Sequence, residues 1–259
     1  MSSIQSNIHP NAKIGNGTVI EPFATIQGDV VIGDNCWVGP YVTIMDGSRI
    51  GNHCKVFPGA VVGAIPQDLK YAGENSLLEV GDYTVIRECC TLNRGTKAAM
   101  TTKVGSRCLL MAYVHVAHDC VVGNNVILAN SVNLAGHIEI EDYAIIGGMS
   151  AIHQFVKIGA HAMIGGGSLV MKDVPPFTKA ARDPLSYEGI NSIGLKRRGF
   201  TVDQVNRIHE IYRYMFVKFK NIGKATKAIE VELPDSPEKD TILEFVRNSS
   251  RGVMKGYRS

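Results

Sequence analysis

From Ile8 to Val170 an aliphatic residue returns at every sixth position in a single register. Of the 28 slots in that register, 25 hold Ile, Val or Leu, and the exceptions are Asp68, Glu74 and Ala98. A period of six matches neither the 3.6 of a helix nor the alternation of an ordinary strand. It marks a parallel β-helix, in which each hexad supplies one short strand and one turn and three hexads close a triangular coil of about 18 residues. The intact hexads predict about eight coils, stacked at the ~4.8 Å strand spacing into a prism on the order of 40 Å tall. Gly15, Gly33, Gly51, Gly81 and Gly123 directly follow aliphatic positions and are expected to ease the corners.

The three exceptions lie in two stretches, 63–79 and 96–103, that interrupt the repeat by whole multiples of six and leave its register intact. Long excursions from a compact repeat are commonly functional, and the first carries the polar run IPQDLKYAGE. Flat stacked faces offer no pocket of their own, so a ligand site forms most easily between neighbouring prisms. That predicts a homotrimer whose clefts borrow residues from two chains.

The repeat stops at Pro175-Pro176, where missing donors and fixed φ make a further coil unfavourable. Beyond it, Val205, Ile208, Ile211, Tyr212 and Met215 recur at helical spacing through 201–219, behind a capping-box pair, Thr201 and Gln204. A second helical stretch begins at Gly223 and a third at Ser236-Pro237, with Ile242, Phe245 and Val246 on its apolar face. The expected organisation is a β-helix over 1–176 and a C-terminal helical domain over 177–259.

Charge divides the same way. Residues 1–176 hold 11 Lys/Arg against 14 Asp/Glu, and residues 177–259 hold 16 against 10; the balances of −3 and +6 sum to the chain's +3. No nucleic-acid motif accompanies the basic tail, so an acidic protein or phosphate groups are the expected partners, with an ordinary solvated helix face as the plain alternative. The absence of an 18-residue apolar run and of a leader-like start in MSSIQSNIHPNAK predicts a cytoplasmic protein with no integral membrane segment. The six cysteines sit within or beside the repeats and read as packed, reduced thiols.

His115, His118, His137, His153 and His161 place five of the eight histidines within 47 residues. Asp119 and His137 are one coil apart, since 137 − 119 = 18, and are expected to stack. A lone histidine is usually structural, but this cluster beside a carboxylate points to proton transfer near neutral pH. Zinc is the competing chemistry. The His-x4-His pair of trimeric β-helix carbonic anhydrases is missing, so no metal is expected. No serine sits in a nucleophile elbow.

The segments QDLKYAGE (67–74), IRECCTLNRGT (86–96), HVAHDCVVG (115–123), LAGHIEIEDYAIIGG (134–148), HQFVKIGAHAMIGG (153–166), DVPP (173–176) and GLKRRGF (194–200) follow one another along the chain. Together they resemble the UDP-N-acetylglucosamine O-acyltransferase family over essentially the whole length. The resemblance implies a homotrimeric left-handed parallel β-helix with a C-terminal helical domain. It also implies transfer of a 3-hydroxyacyl group from acyl carrier protein to the 3-hydroxyl of UDP-N-acetylglucosamine, the first step of lipid A synthesis, with no cofactor.

By that resemblance His118 is the general base, Asp119 its orienting partner, and the Gly136 amide the oxyanion donor. Adjacent strand residues normally point to opposite faces, so the turn geometry at His118 and Asp119 decides whether they meet. Asp68, Lys70 and His115 resemble sugar contacts. His137, His153 and Gln154 line the sugar and diphosphate, and Asn191 and Arg198 hold the nucleotide, with Arg197 there or on the carrier protein. Ile193 departs from an acidic residue found in relatives. Gly166 matches the position whose bulk limits acyl length, and its missing side chain predicts a long chain rather than a ten-carbon one. The basic tail suits the strongly acidic carrier. Alternatives open at this stage are the pathway's later N-acyltransferase, for whose extra N-terminal uridine domain the repeat beginning at Ile8 leaves no space, an acetyl-CoA-dependent acetyltransferase, and a noncatalytic binding module.

Overall fold

From Ile26 to Val170, every aliphatic residue of the six-residue register lies in one hydrophobic core in the computed structural model, which describes residues 6–219 and 221–256. Burying each of these side chains stabilises the fold by roughly 1.5–3 kcal/mol relative to exposure. The chain forms a left-handed parallel β-helix of mostly two-residue strands in three sheets. Face A runs from Asn7–Ile8 to Leu169–Val170, face B from Lys13–Ile14 to Lys157–Ile158, and face C starts at Val19–Ile20. Register keeps the apolar slots in line, as in Leu92↔Val116 and Leu134↔Ile152.

Most corners turn on the third residue after the aliphatic slot, which sits in the left-handed region across several residue types: Phe23 at φ 67°, Asn35 at 54°, Asp119 at 59° and Tyr143 at 62°. For non-glycine residues that conformation costs about 1–2 kcal/mol. Stacking between coils offsets part of it, with ring centroids 4.9 Å apart for Phe23 and Tyr41 and 4.6 Å for His53 and Tyr83. The glycines that follow the aliphatic slots therefore do not ease the corners, contrary to the sequence reading. They admit the next coil: a Cβ on Gly15 would fall 2.4 Å from the Gly33 carbonyl carbon, and one on Gly123 would fall 2.8 Å from the Asp142 nitrogen.

A corner also leaves an outward-facing amide two residues after the aliphatic slot, and the three edges treat it differently. On the B–C edge a ladder of side chains accepts it, as in Asn16 N–H to Asp34 Oδ1 at 2.7 Å, Asp34 N–H to Asn52 at 2.8 Å, and Asn124 N–H to Asp142 at 2.7 Å. On the C–A edge Pro22, Pro40 and Pro58 occupy the slot and carry no N–H. Pro176 fills the equivalent B–C slot just before Phe177, which takes the corner φ of 65°. Pro175-Pro176 thus ends the hexad pattern without ending the sheet. Thr178–Ala181 pairs parallel with Met163–Ile164, and Ser186–Ile190 pairs antiparallel with it in turn.

Helices α1 (Ser192–Arg197), α2 (Val202–Arg213), α3 (Ile222–Glu232) and α4 (Pro237–Arg247) follow. Both arms of the Thr201/Gln204 capping box are formed, and Ser236 caps α4. The helix read through 201–219 changes to a π-turn at Tyr214–Lys218. Buried Tyr212 donates to the Pro176 carbonyl at 2.6 Å and fastens α2 to the prism. The chain then returns to the prism, where Ser249 donates to the buried Asp173 carboxylate at 2.6 Å. All six cysteines are free thiols, and only Cys89 is exposed. No helix among the described residues is long and apolar enough to cross a membrane.

Candidate active site

Both interruptions of the repeat leave the prism at the same edge, between faces A and B. One joins Val61–Ala64 to Leu77–Val80 and the other joins Thr91–Asn93 to Thr101–Val104. The coils that follow place Asp119, His137 and Phe155 in that edge's corner position. The two excursions and the histidine cluster are therefore one feature. Tyr71 in the first loop accepts from Arg94 at 2.9 Å, and Arg94 also donates to the Asp46 carbonyl at 2.8 Å, fastening the first loop to the second.

The corner resolves the opposite-faces problem for His118 and Asp119. Because Asp119 is left-handed, its carboxylate turns back to its neighbour, and Oδ2 lies 2.8 Å from His118 Nδ1. Both residues are buried. Thr96, from the second loop, donates its amide to Asp119 Oδ1 at 2.9 Å and its hydroxyl to Oδ2 at 2.6 Å. The Asp119 amide in turn donates to Thr102 at 2.8 Å. Burial alone pushes the Asp119 carboxyl up, but the Thr96 hydroxyl, His118, the Thr96 amide and nearby His137 together hold it below the usual carboxylate range. An ionised carboxylate only accepts, so His118 carries a proton on Nδ1, and in the neutral ring Nε2 is the acceptor.

The one-coil stacking expected for Asp119 and His137 is present. His137 Nε2 lies 3.6 Å from Asp119 Oδ2, an electrostatic contact longer than a hydrogen bond. Its ring stands edge-on to His118 at 5.1 Å and stacks on Phe155 at 4.6 Å. Gly136 lies directly beneath the His118 ring, and a Cβ there would meet His118 Cε1 at 2.6 Å. The Gly136 amide has no acceptor among the described residues. An open cleft of about 760 Å³ starts at this edge, where Ala99, Asp119, His137 and Phe155 line it, and crosses face B past Val121 and Glu139 to Glu141 and Ala160.

His115 stands on face A with Nδ1 2.7 Å from Thr91 Oγ1; burial, then the proximity of His118, pulls its pKa down. His118, Asp119 and His137 offer ligand atoms within 4.8 Å of one another. Three such ligands suit zinc, but Asp119 Oδ2 already accepts from Thr96 and His118, so a metal would have to displace those bonds.

The remaining sequence candidates are dispersed. Asp68 and Lys70 stand in the first loop, where Asp68 accepts the Lys70 amide at 2.9 Å, and neither lines the cleft. His153 and Gln154 share the A–B edge, with His153 Nδ1 2.7 Å from Arg251. Asn191 and Arg198 lie against the B–C edge instead. Buried Asn191 caps α1 and donates to the His161 carbonyl at 3.0 Å, while Arg198 sits 5.3 Å over the Tyr143 ring with a buried Nη1 that has no partner among the described residues. Arg197 is exposed in the last turn of α1. Gly166 is on the C–A edge, where a Cβ would meet only the Gly148 carbonyl oxygen closely, at 3.1 Å. Sequence reasoning missed Thr96, Thr102 and Phe155. The arithmetic 119 − 101 = 18, confirmed by the pairing of Lys103 with Val121, places the end of the second loop one coil above Asp119.

Comparison with known proteins finds one family over this fold. A family described as Udp N-acetylglucosamine O-acyltransferase, domain 2, matches residues 173–254, and the bacterial transferase hexapeptide family matches 29–64 and 101–136. The acyl-[acyl-carrier-protein]–UDP-N-acetylglucosamine O-acyltransferase of Paracidovorax citrulli is 45% identical over 262 residues, covering 98% of this chain and 100% of its own. The enzyme of the same name from Chlorobaculum tepidum is 51% identical over 204 residues, 78% of this chain and 77% of its own. A crystal structure of a UDP-N-acetylglucosamine acyltransferase from Bacteroides fragilis superposes with a TM-score of 0.95 at 48% identity, covering 98% of this chain and 100% of that one. The chain belongs to the UDP-N-acetylglucosamine O-acyltransferase family.

Proposed function

We propose that His118 is the general base of the family's reaction, in which this enzyme transfers a 3-hydroxyacyl group from acyl carrier protein to the 3-hydroxyl of UDP-N-acetylglucosamine and so begins lipid A biosynthesis. The observation that carries the assignment is the 2.8 Å bond between His118 Nδ1 and the Asp119 carboxylate, which sets the tautomer of the neutral ring so that Nε2 is its acceptor. Nε2 takes the proton as the sugar oxygen attacks the thioester carbonyl. The Gly136 amide, without an acceptor of its own, donates to the oxyanion of the tetrahedral intermediate. Collapse breaks the C–S bond, and His118 returns the proton to the departing thiolate. Base assistance of this kind is worth roughly 10²- to 10⁴-fold.

The assembly is a homotrimer. One prism spreads the substrate residues over three edges: His118, His137 and Gln154 on A–B, Asn191 and Arg198 on B–C, and Gly166 on C–A. Packing edges of neighbouring copies together brings these groups into one cleft with Asp68, Lys70 and His115. The carrier protein meets the basic C-terminal region, Arg197 included. Without a side chain at Gly166 the acyl groove stays open, which favours a long 3-hydroxyacyl chain, each added methylene contributing about 0.8 kcal/mol on burial.

Purified enzyme incubated with a matrix of acyl-carrier-protein donors and UDP-sugars, with products weighed by mass spectrometry, tests the reading. A 3-O-(3-hydroxyacyl) product from UDP-N-acetylglucosamine is expected, with donors longer than ten carbons preferred. A best ten-carbon donor would overturn the chain-length reading, and transfer from acetyl-CoA alone would overturn the donor assignment.

A further inference from the structure

The second interruption of the repeat is too short to form a coil, yet it brings Thr96 to a buried position against Asp119. Its geometry admits only one hydrogen-bonding sense. The Ala98 amide points at Thr96 Oγ1 from 3.2 Å, so that oxygen is already an acceptor. Asp119 Oδ2, 2.6 Å away, can only accept while ionised, so the hydroxyl donates to it. Oδ2 is also the oxygen that accepts from His118 Nδ1 at 2.8 Å. The result is a directed chain in which the Ala98 N–H donates to the Thr96 hydroxyl, which donates to Asp119, which in turn accepts from His118.

Two donors from Thr96, one on each carboxylate oxygen, fix the rotation of a side chain whose backbone is already held left-handed by Thr102. From this we infer that Thr96 is a positioning residue: it locks the Asp119 carboxylate so that His118 keeps its proton on Nδ1 and its Nε2 aimed at the acceptor hydroxyl. The inference rests on His118 being the base. Thr96 touches neither substrate in this account and acts through Asp119 alone. The six inserted residues exist, on this reading, to deliver one hydroxyl to a place that no regular hexad could reach.

Thr96→Val keeps the shape of the side chain and the amide-to-Oδ1 bond while removing the hydroxyl. The expected result is a fall in kcat of about tenfold, the scale of one hydrogen bond to a charged group. KM for both substrates and the thermal midpoint stay close to those of the parent. Thr96→Ser restores the donor and should recover kcat to within about threefold. In an Asp119→Asn background, Thr96→Val should cost less than about twofold more, because the group it orients is already gone.

An unchanged kcat in Thr96→Val, a loss that Ser does not repair, or a full additional loss on top of Asp119→Asn would each overturn the inference. A His118→Ala enzyme measured alongside separates the two levels. If it is inactive while Thr96→Val is unimpaired, only the role of Thr96 fails; if it is fully active, the base assignment fails first.

Discussion

Two edges of the same prism are built from the same hexads and do opposite work. The B–C edge closes most of the problems the corner creates: Asp34, Asn52, Asp82, Asn124 and Asp142 accept amides from the neighbouring coil, and glycines let the coils approach. The A–B edge leaves the equivalent amides of His118, Gly136 and Gln154 without acceptors among the described residues, and both inserted loops emerge there. Corner polarity that stabilises one edge is left open at the other, where Asp119 and His137 line a cleft. A satisfied corner is scaffold, whereas an unsatisfied one beside a buried carboxylate–histidine hydrogen bond is available for chemistry.

The contrast is sharpest between two glycines. A methyl group on Gly136 strikes a side chain, the ring of His118 at 2.6 Å, whereas one on Gly123 strikes the backbone nitrogen of Asp142 at 2.8 Å as well as its carboxylate. Gly136→Ala is expected to lower kcat about 100-fold or more, because the ring must swing away from Asp119, with a thermal midpoint close to the parent's. Gly123→Ala is expected to do the reverse. Its overpacking costs about 1–3 kcal/mol of stability, visible as a lower melting temperature, with kcat per folded enzyme unchanged. Equal effects of the two variants on kcat, after correction for folded fraction, would erase the distinction between the edges.

A smaller effect is expected from His161, in the aromatic column of the B–C edge between Tyr143 and Phe177. Burial, then the charge of Arg198, pulls its pKa from 6.5 down to about 4. Between those values the unfolded chain binds the proton and the folded chain does not, so stability falls as pH drops through that window and levels off below about 4. Replacing His161 with Phe, which preserves the stack, should flatten that part of the stability-against-pH curve. A parent and variant with parallel curves from pH 7 to 4 would show that His161 is not a source of the slope.

The sequence pattern revealed much of this and concealed specific parts. The aliphatic register gives the core, and the difference of 18 between Asp119 and His137 gives their stacking, because a coil length is arithmetic. The Thr201 capping box is legible because it is local. Two features were less accessible. The glycines after the aliphatic slots look like turn residues, but their role depends on how closely the next coil approaches, a packing fact with no periodicity of its own. Pro176 looks like a stop, but it falls in a corner slot where no donor is needed, so face C continues. The partners of Asp119 were hidden for a related reason: Thr96 lies in an insertion, and only the path of that loop brings it back to the edge. The assignment of candidates to edges is likewise recoverable from residue number only after the extra 12 and 6 residues of the two loops are subtracted, as the pairings Leu92↔Val62 and Val104↔Val80 show.

The central claim is that the A–B edge does its chemistry through His118 Nε2. Steady-state turnover of His118→Ala, with 3-hydroxyacyl carrier protein and UDP-N-acetylglucosamine at saturation and thermal unfolding measured on the same preparation, tests it most directly. The account predicts a fall in kcat of about 10²- to 10⁴-fold with the melting transition retained. Turnover within about threefold of the parent in a folded enzyme would contradict it.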